Sequence, residues 1–92
     1  MPTFLVEGHL LAVEKSDLMD AQRAVVQACA RLTSQGRAVR CLDAIYVAED
    51  GRYLRLFEAV DEATVQRVNE VTQLPFERIL DVLRLDVPLR SE

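Results

Sequence analysis

The single histidine of this 92-residue sequence, His9, lies two residues after an acidic residue, Glu7. Residues two apart in a β-strand point to the same face of the sheet, about 6 to 7 Å apart along the chain. An imidazole and a carboxylate at that spacing could act as an acid–base couple or share a metal ion, because histidine titrates near neutral pH. A lone histidine on a strand is also often structural or solvent-facing, so the chemical interpretation depends on its neighbours.

Two other residues could join this pair to form a ligand-binding surface. Glu58 falls within a later predicted strand, and would form a carboxylate cluster with Glu7 if both faced the same side of the sheet. Tyr46 offers a hydroxyl donor, although tyrosine more often serves as an amphipathic packing residue. Glu7, His9, Tyr46 and Glu58 are therefore the candidate ligand-binding residues, and no catalytic residue is assigned.

The sequence argues against several other classes of protein. The two cysteines lie 12 positions apart in no metal-binding pattern, and no glycine-rich phosphate loop occurs, so we expect no cofactor. A net charge of -4 with scattered arginines disfavours nucleic acid as a partner. No apolar run approaches the ~20 residues that cross a bilayer, and the start lacks the pattern of a signal peptide. We therefore expect a cytoplasmic protein with no membrane partner.

The first half of the chain predicts a strand followed by a helix. In residues 3–11, Phe4 and Val6 alternate with Glu7 and His9, a period-2 pattern that favours a strand with the two apolar residues in the core. Gly8 interrupts the pattern and indicates a bulge or a close approach of the backbone. The next segment has apolar residues at helical spacing, with Ser16 as the expected cap and Gly36 at its end. These apolar residues are Leu18, Ala21, Val25, Ala28 and Leu32.

The second half predicts a hairpin, a helix and a last strand. Asp50-Gly51 separates two β-rich segments, residues 39–48 and 52–60, as in a tight hairpin turn. Asp61 begins a helix that Pro75 ends, since proline disfavours helical structure in the residue before it. A strand over residues 78–83 follows.

This order, β-α-β-β-α-β, predicts a single α+β domain of ferredoxin-like architecture over residues 1–92, with a polar tail from about residue 85. The expected four-stranded antiparallel sheet would carry both helices on one face. Its other face would also carry apolar side chains, which a second copy could cover. We therefore expect a homodimer, in the form of a dimeric α/β barrel.

Short motifs in the second half resemble those of one known family. They are Tyr46-Val47 with Glu49-Asp50-Gly51, Glu58-Ala59, Asp61-Glu62 and Leu74-Pro75. The sequence is similar in these motifs to small, mostly uncharacterised ferredoxin-like proteins, some of them labelled nickel-binding.

The resemblance implies the same fold and a tendency to form dimers, with Glu7, Tyr46 and Glu58 retained from the family's polar positions. Ala44 and Val68 stand where the family has histidines, and imidazoles are the ligands that nickel favours. A nickel site is therefore disfavoured, and any metal would have to use His9 with Glu7.

Three classes of function remain open. The favoured one is a small dimeric binding or accessory protein that holds a small molecule or a partner at the open sheet face. The first alternative is a small cofactor-free enzyme, resembling an isomerase or oxygenase, that uses His9 with Glu7 or Glu58. The second alternative is a protein that binds a divalent metal of the nickel type.

Overall fold

The structure, a computed structural model, describes residues 1–10 and 14–85. These residues form four strands and two helices in the predicted order. The expected polar tail lies outside them from residue 86 onward. The elements are β1 (Thr3–His9), α1 (Lys15–Ser34), β2 (Val39–Val47), β3 (Arg52–Ala59), α2 (Glu62–Thr72) and β4 (Arg78–Val82).

The strands form one antiparallel sheet in the order β2-β3-β1-β4. The prediction of an α+β fold with β-α-β-β-α-β order is therefore confirmed, and β1 and β3 are the two central strands. Among the described helices, none is both long and apolar enough to span a membrane.

The core lies between the sheet and the two helices. Phe4 and Val6 of β1 are buried, as their alternation predicted, and they pair with Phe57 and Arg55 of β3. The helices contribute apolar residues that recur at spacings of three and four, so each helix buries one stripe against the sheet. The buried residues of these stripes include Val25, Ala28, Leu32, Val65 and Val68.

The helix ends follow the predictions in part. The prediction that Ser16 caps α1 is wrong, because the helix begins at Lys15 and Glu14 caps it in a reciprocal capping box with Asp17. At the start of α2, Asp61 is the cap, and its carboxylate accepts a hydrogen bond from the backbone amide of Thr64 at 2.9 Å.

A β-bulge interrupts the pairing of β2 with β3. Cys41 pairs with Phe57, and Asp43 pairs with Leu56, so Leu42 between them has no partner on β3. One extra residue reverses which side of the sheet each following side chain points to. Beyond the bulge, Asp43 and Ile45 therefore lie on the face away from the helices, and Ala44 and Tyr46 lie on the helix side.

Gly8 is required by the side chain opposite it. Gly8 pairs with Tyr53, and a Cβ atom at residue 8 would lie 2.6 Å from the Tyr53 ring. The ring is buried, and its hydroxyl donates a hydrogen bond to the carbonyl of Pro75, which fixes it across the glycine. The predicted close approach at Gly8 is confirmed.

Candidate functional site

The side of the sheet away from the helices, here called the open sheet face, carries a continuous apolar surface. Leu5 lies directly opposite Leu56 on one neighbouring strand and opposite Leu80 on the other. Leu54 extends this group along β3, and its partner Ile45 is 54% exposed. We call Leu5, Leu54, Leu56 and Leu80 the leucine strip. No described helix covers it, because both helices pack on the opposite face.

Charged side chains of both signs surround the leucine strip. The pairing register places three carboxylates and three guanidinium groups on the open sheet face. Two salt bridges join four of these six groups, so most of the charge on the face is paired locally. The six residues are Glu7, Asp43, Glu58, Arg40, Arg52 and Arg78.

Glu7 and His9 share the open sheet face, as predicted, but each already has a partner. The Nε atom of Arg78 donates a hydrogen bond to Glu7 Oε1 at 2.5 Å. His9 Nδ1 lies 2.6 Å from Glu77 Oε2, with the His9 side chain 42% exposed. Exposed pairs of this kind contribute little to stability. The structure therefore places the two residues together at one end of the sheet without enclosing them in a cleft.

Glu58 lies at the other end of the same strand pair. It is opposite Thr3, whereas Glu7 is opposite Leu54, so four residues of strand separate the two carboxylates. At ~3.3 Å per residue this is a separation of about 13 Å. Glu58 instead accepts a hydrogen bond from Arg40 Nε at 2.9 Å. The structure does not bring Glu58 into one site with Glu7 and His9.

Tyr46 faces the helix side of the sheet, because the bulge at Leu42 reverses the orientation of the residues that follow it. Its hydroxyl donates a hydrogen bond to the carbonyl of Leu10 at 2.7 Å. Tyr46 is thus separated by the sheet from the three other candidate residues. Across residues 1–10 and 14–85, no three His, Cys, Asp or Glu side chains come together as a group that could hold a metal ion.

A different site lies on the helix side of the sheet, between the first half of α1 and strands β2 and β3. It is a cavity of about 240 Å³, half open to solvent, with mostly apolar walls that include Leu18, Met19, Tyr46 and Tyr53. Arg55 also lines it.

Arg55 is an unusual residue for such a position. It is 4% exposed, and arginine is rarely buried to that extent without an acidic partner. Its Nε donates a hydrogen bond to Gln22 Oε1 at 3.0 Å, and its guanidinium carbon lies 4.7 Å from the centre of the Tyr53 ring. Its buried Nη1 atom has no hydrogen-bond partner within the described part of the chain.

Burial favours the neutral form of both Arg55 and Tyr53, so it shifts their pKa values in opposite directions. Burial lowers the pKa of the Arg55 guanidinium, since removal from water disfavours the charged form. Arginine nevertheless remains protonated in proteins, so the cavity keeps a full positive charge. Burial also raises the pKa of the Tyr53 hydroxyl, which stays neutral beside that charge.

Sequence reasoning did not identify Arg55 as a site residue. Both alternating sets of β3 contain a charge, Arg55 in one and Glu58 in the other, so neither set could be assigned to the core from charge alone. The useful signal was that Tyr53 and Phe57 flank Arg55 at period 2. Two aromatic residues that point to the same face of a strand favour that face as the buried one. Assigning the face of Tyr53 and Phe57 to the core would also have placed Arg55 there.

Comparison with solved structures supports the fold. The chain is similar to the protein in a crystal structure analysis of SCO4226 from Streptomyces coelicolor A3(2), with a TM-score of 0.71 and 20% sequence identity. The similarity covers 97% of this chain and 99% of that one. At this identity it establishes the shared fold alone. The sequence matches no protein-family model and no curated protein.

Proposed function

We propose that this protein is a non-catalytic binding protein that works as a homodimer, with the open sheet faces of two copies packed together. The observation that carries the proposal is the leucine strip, which crosses three strands and is not covered by either helix. Apolar surface of this kind on a small domain commonly marks an interaction site. Two sheets can pack face to face at a distance of about 10 Å, with their side chains interdigitated.

The charges on the open sheet face favour a second copy as the occupant. In a two-fold dimer both copies contribute the same surface, so the charges and shape of that surface must be complementary to a second copy of itself. The three carboxylates and three guanidinium groups that the strands place on the face balance, and Glu77 adds one carboxylate beside His9 at its edge, whereas the whole chain carries -4. Two copies that approach through this face therefore avoid the repulsion that the rest of the surface would produce.

The alternative functions receive less support. An enzyme that uses His9 with Glu7 or Glu58 would need these groups in one cleft, but Glu58 lies about 13 Å from Glu7 along the strands. A nickel site of the resembling family would need imidazoles where this chain has Ala44 and Val68. Neither alternative forms part of the proposal.

Sedimentation equilibrium at micromolar concentration tests the proposal. The parent protein should show twice the monomer mass. Leu56→Glu should weaken the dimer at least about tenfold, because each copy would bury a carboxylate in the apolar interface. Val26→Glu is the matched control, since Val26 is 54% exposed on α1, away from this face. A parent protein that stays monomeric, or equal weakening by both variants, would contradict the proposal.

A further inference from the structure

We propose that the cavity between α1 and strands β2 and β3 binds a small organic acid, whose carboxylate pairs with Arg55. The inference goes beyond dimerisation, because it concerns the helix side of the sheet. It depends on three observations: a buried guanidinium without an acidic partner, a cavity next to it, and the composition of the cavity walls.

The first observation is the unsatisfied hydrogen-bonding capacity of Arg55. A guanidinium carries five N–H donors. Here Nε is used by Gln22, and Nη1 is buried with no partner among the residues that the structure describes. Leaving a buried charge without a counter-charge is costly, and a carboxylate that reaches the guanidinium would supply the missing acceptor and counter-charge.

The contacts of Gln22 hold the guanidinium in place. The side-chain oxygen of Gln22 accepts from Arg55, and its amide nitrogen lies 3.5 Å from the Cys41 sulfur, within reach of a weak hydrogen bond. Arg55 also stacks on the Tyr53 ring, which is itself fixed by its hydrogen bond to Pro75. A pre-positioned guanidinium is suited to a planar carboxylate, with which it can form two parallel hydrogen bonds.

The cavity walls define the rest of the ligand. Two basic residues, Lys15 and Arg55, line the cavity, and no acidic residue does so within the described part of the chain. In a protein of net charge -4, this is a local excess of positive charge. The remaining walls are mainly aliphatic and aromatic. The volume of about 240 Å³ suits an acid with one ring or a short chain.

Benzoate and benzamide provide a matched pair of probes, because they have nearly the same shape and differ in charge. Binding is followed by NMR, through the shifts of the Arg55 Nε–H and the Gln22 side-chain amide. We expect benzoate to bind with a Kd of about 1 mM or below, and benzamide to bind at least about tenfold more weakly.

Three variants separate the contribution of the Arg55 charge to binding from the contribution of the cavity space. Arg55→Met should weaken benzoate binding at least about tenfold and leave benzamide binding nearly unchanged. Arg67→Met is the control, because Arg67 is 52% exposed on α2 and does not line the cavity. Ala44→Trp keeps Arg55 but fills space at the cavity wall, so it should weaken both probes.

Four results would overturn the inference: no benzoate binding at millimolar concentration, equal affinity for benzoate and benzamide, unchanged benzoate binding in Arg55→Met, or inorganic phosphate binding in place of benzoate. If the Arg55→Met variant does not fold, Ala44→Trp still tests the site, because it keeps Arg55 and fills the cavity; unchanged benzoate binding in this variant would also overturn the inference. Sedimentation of the parent protein and of Leu56→Glu tests the dimer separately, so a failure of this inference can be distinguished from a failure of the proposed dimer.

Discussion

Replacing Arg55 with methionine should make the unliganded protein more stable. Methionine has a similar length, fills irregular space and carries no charge. The guanidinium is 4% exposed and faces no acidic side chain in the described residues, so the folded state carries the cost of its desolvation without the benefit of a salt bridge.

The size of the effect follows from the contacts of Arg55. Replacing a buried ion pair by apolar side chains of similar volume is neutral or stabilises proteins by up to about 4 kcal/mol, and we take about 3 kcal/mol for the unpaired charge of Arg55. The substitution loses the cation–π contact with Tyr53, about 1 kcal/mol, and the hydrogen bond to Gln22, about 1 kcal/mol. The net gain is roughly 1 kcal/mol, which corresponds to a rise in Tm of about 4 to 8 °C for a domain of this size.

Urea and thermal unfolding of the two proteins, without added anions, measure this difference. Arg67→Met is again the control and should change the free energy of unfolding by less than about 0.5 kcal/mol, since Arg67 is exposed. A loss of more than about 1 kcal/mol in Arg55→Met would refute the reasoning. It would mean that the guanidinium is already paired in the folded chain, and the proposed ligand site would lose its basis.

Three further predictions concern other parts of the molecule. Gly8→Ala should lower the free energy of unfolding by about 1 to 3 kcal/mol, because the new methyl group would overlap the buried ring of Tyr53; a thermal melt within about 2 °C of the parent would contradict this. Hydrogen bonds from Thr64 lower the pKa of the Asp61 carboxyl in the folded protein. The stabilisation that the Asp61 carboxylate provides is therefore fully present above its unfolded-state pKa. It is lost as the pH falls through the folded-state pKa. Asp61→Ala should therefore lower the urea midpoint more at pH 6 than at about pH 2, and an equal loss at both pH values would count against this assignment. Calorimetric titration with nickel after chelator treatment should detect no stoichiometric, sub-micromolar site. Such a site in the parent protein would show that the expectation of no nickel site is wrong, and its loss in His9→Ala would identify His9 as a ligand.

Local sequence patterns were sufficient to predict most of the fold. The alternation around Phe4 and Val6, the helical stripe ending at Leu32 and the Asp50-Gly51 turn each depend on neighbouring residues, so they can be read from one segment at a time. The error at the start of α1 arose because two residues close together, Glu14 and Ser16, can both cap a helix.

The candidate site was harder to predict, because it depends on pairings between distant segments. Strict alternation from Val39 would place Tyr46 on the open sheet face, the face that carries Glu58, but the bulge at Leu42 moves it to the other face. No residue in that segment signals a bulge. Arg55 is likewise defined by Gln22, which lies 33 positions earlier in the chain and reaches it only after α1 packs on the sheet.

The bulge at Leu42 also affects how the protein can aggregate. β2 is an outer strand of the sheet, and a regular outer strand offers a row of free amide and carbonyl groups to which another chain can add. An extra residue twists and interrupts that row, so strand-by-strand growth into long assemblies is opposed at this side. In the proposed dimer, association uses the leucine strip instead, and a two-fold arrangement there would close after two copies and leave no site for a third.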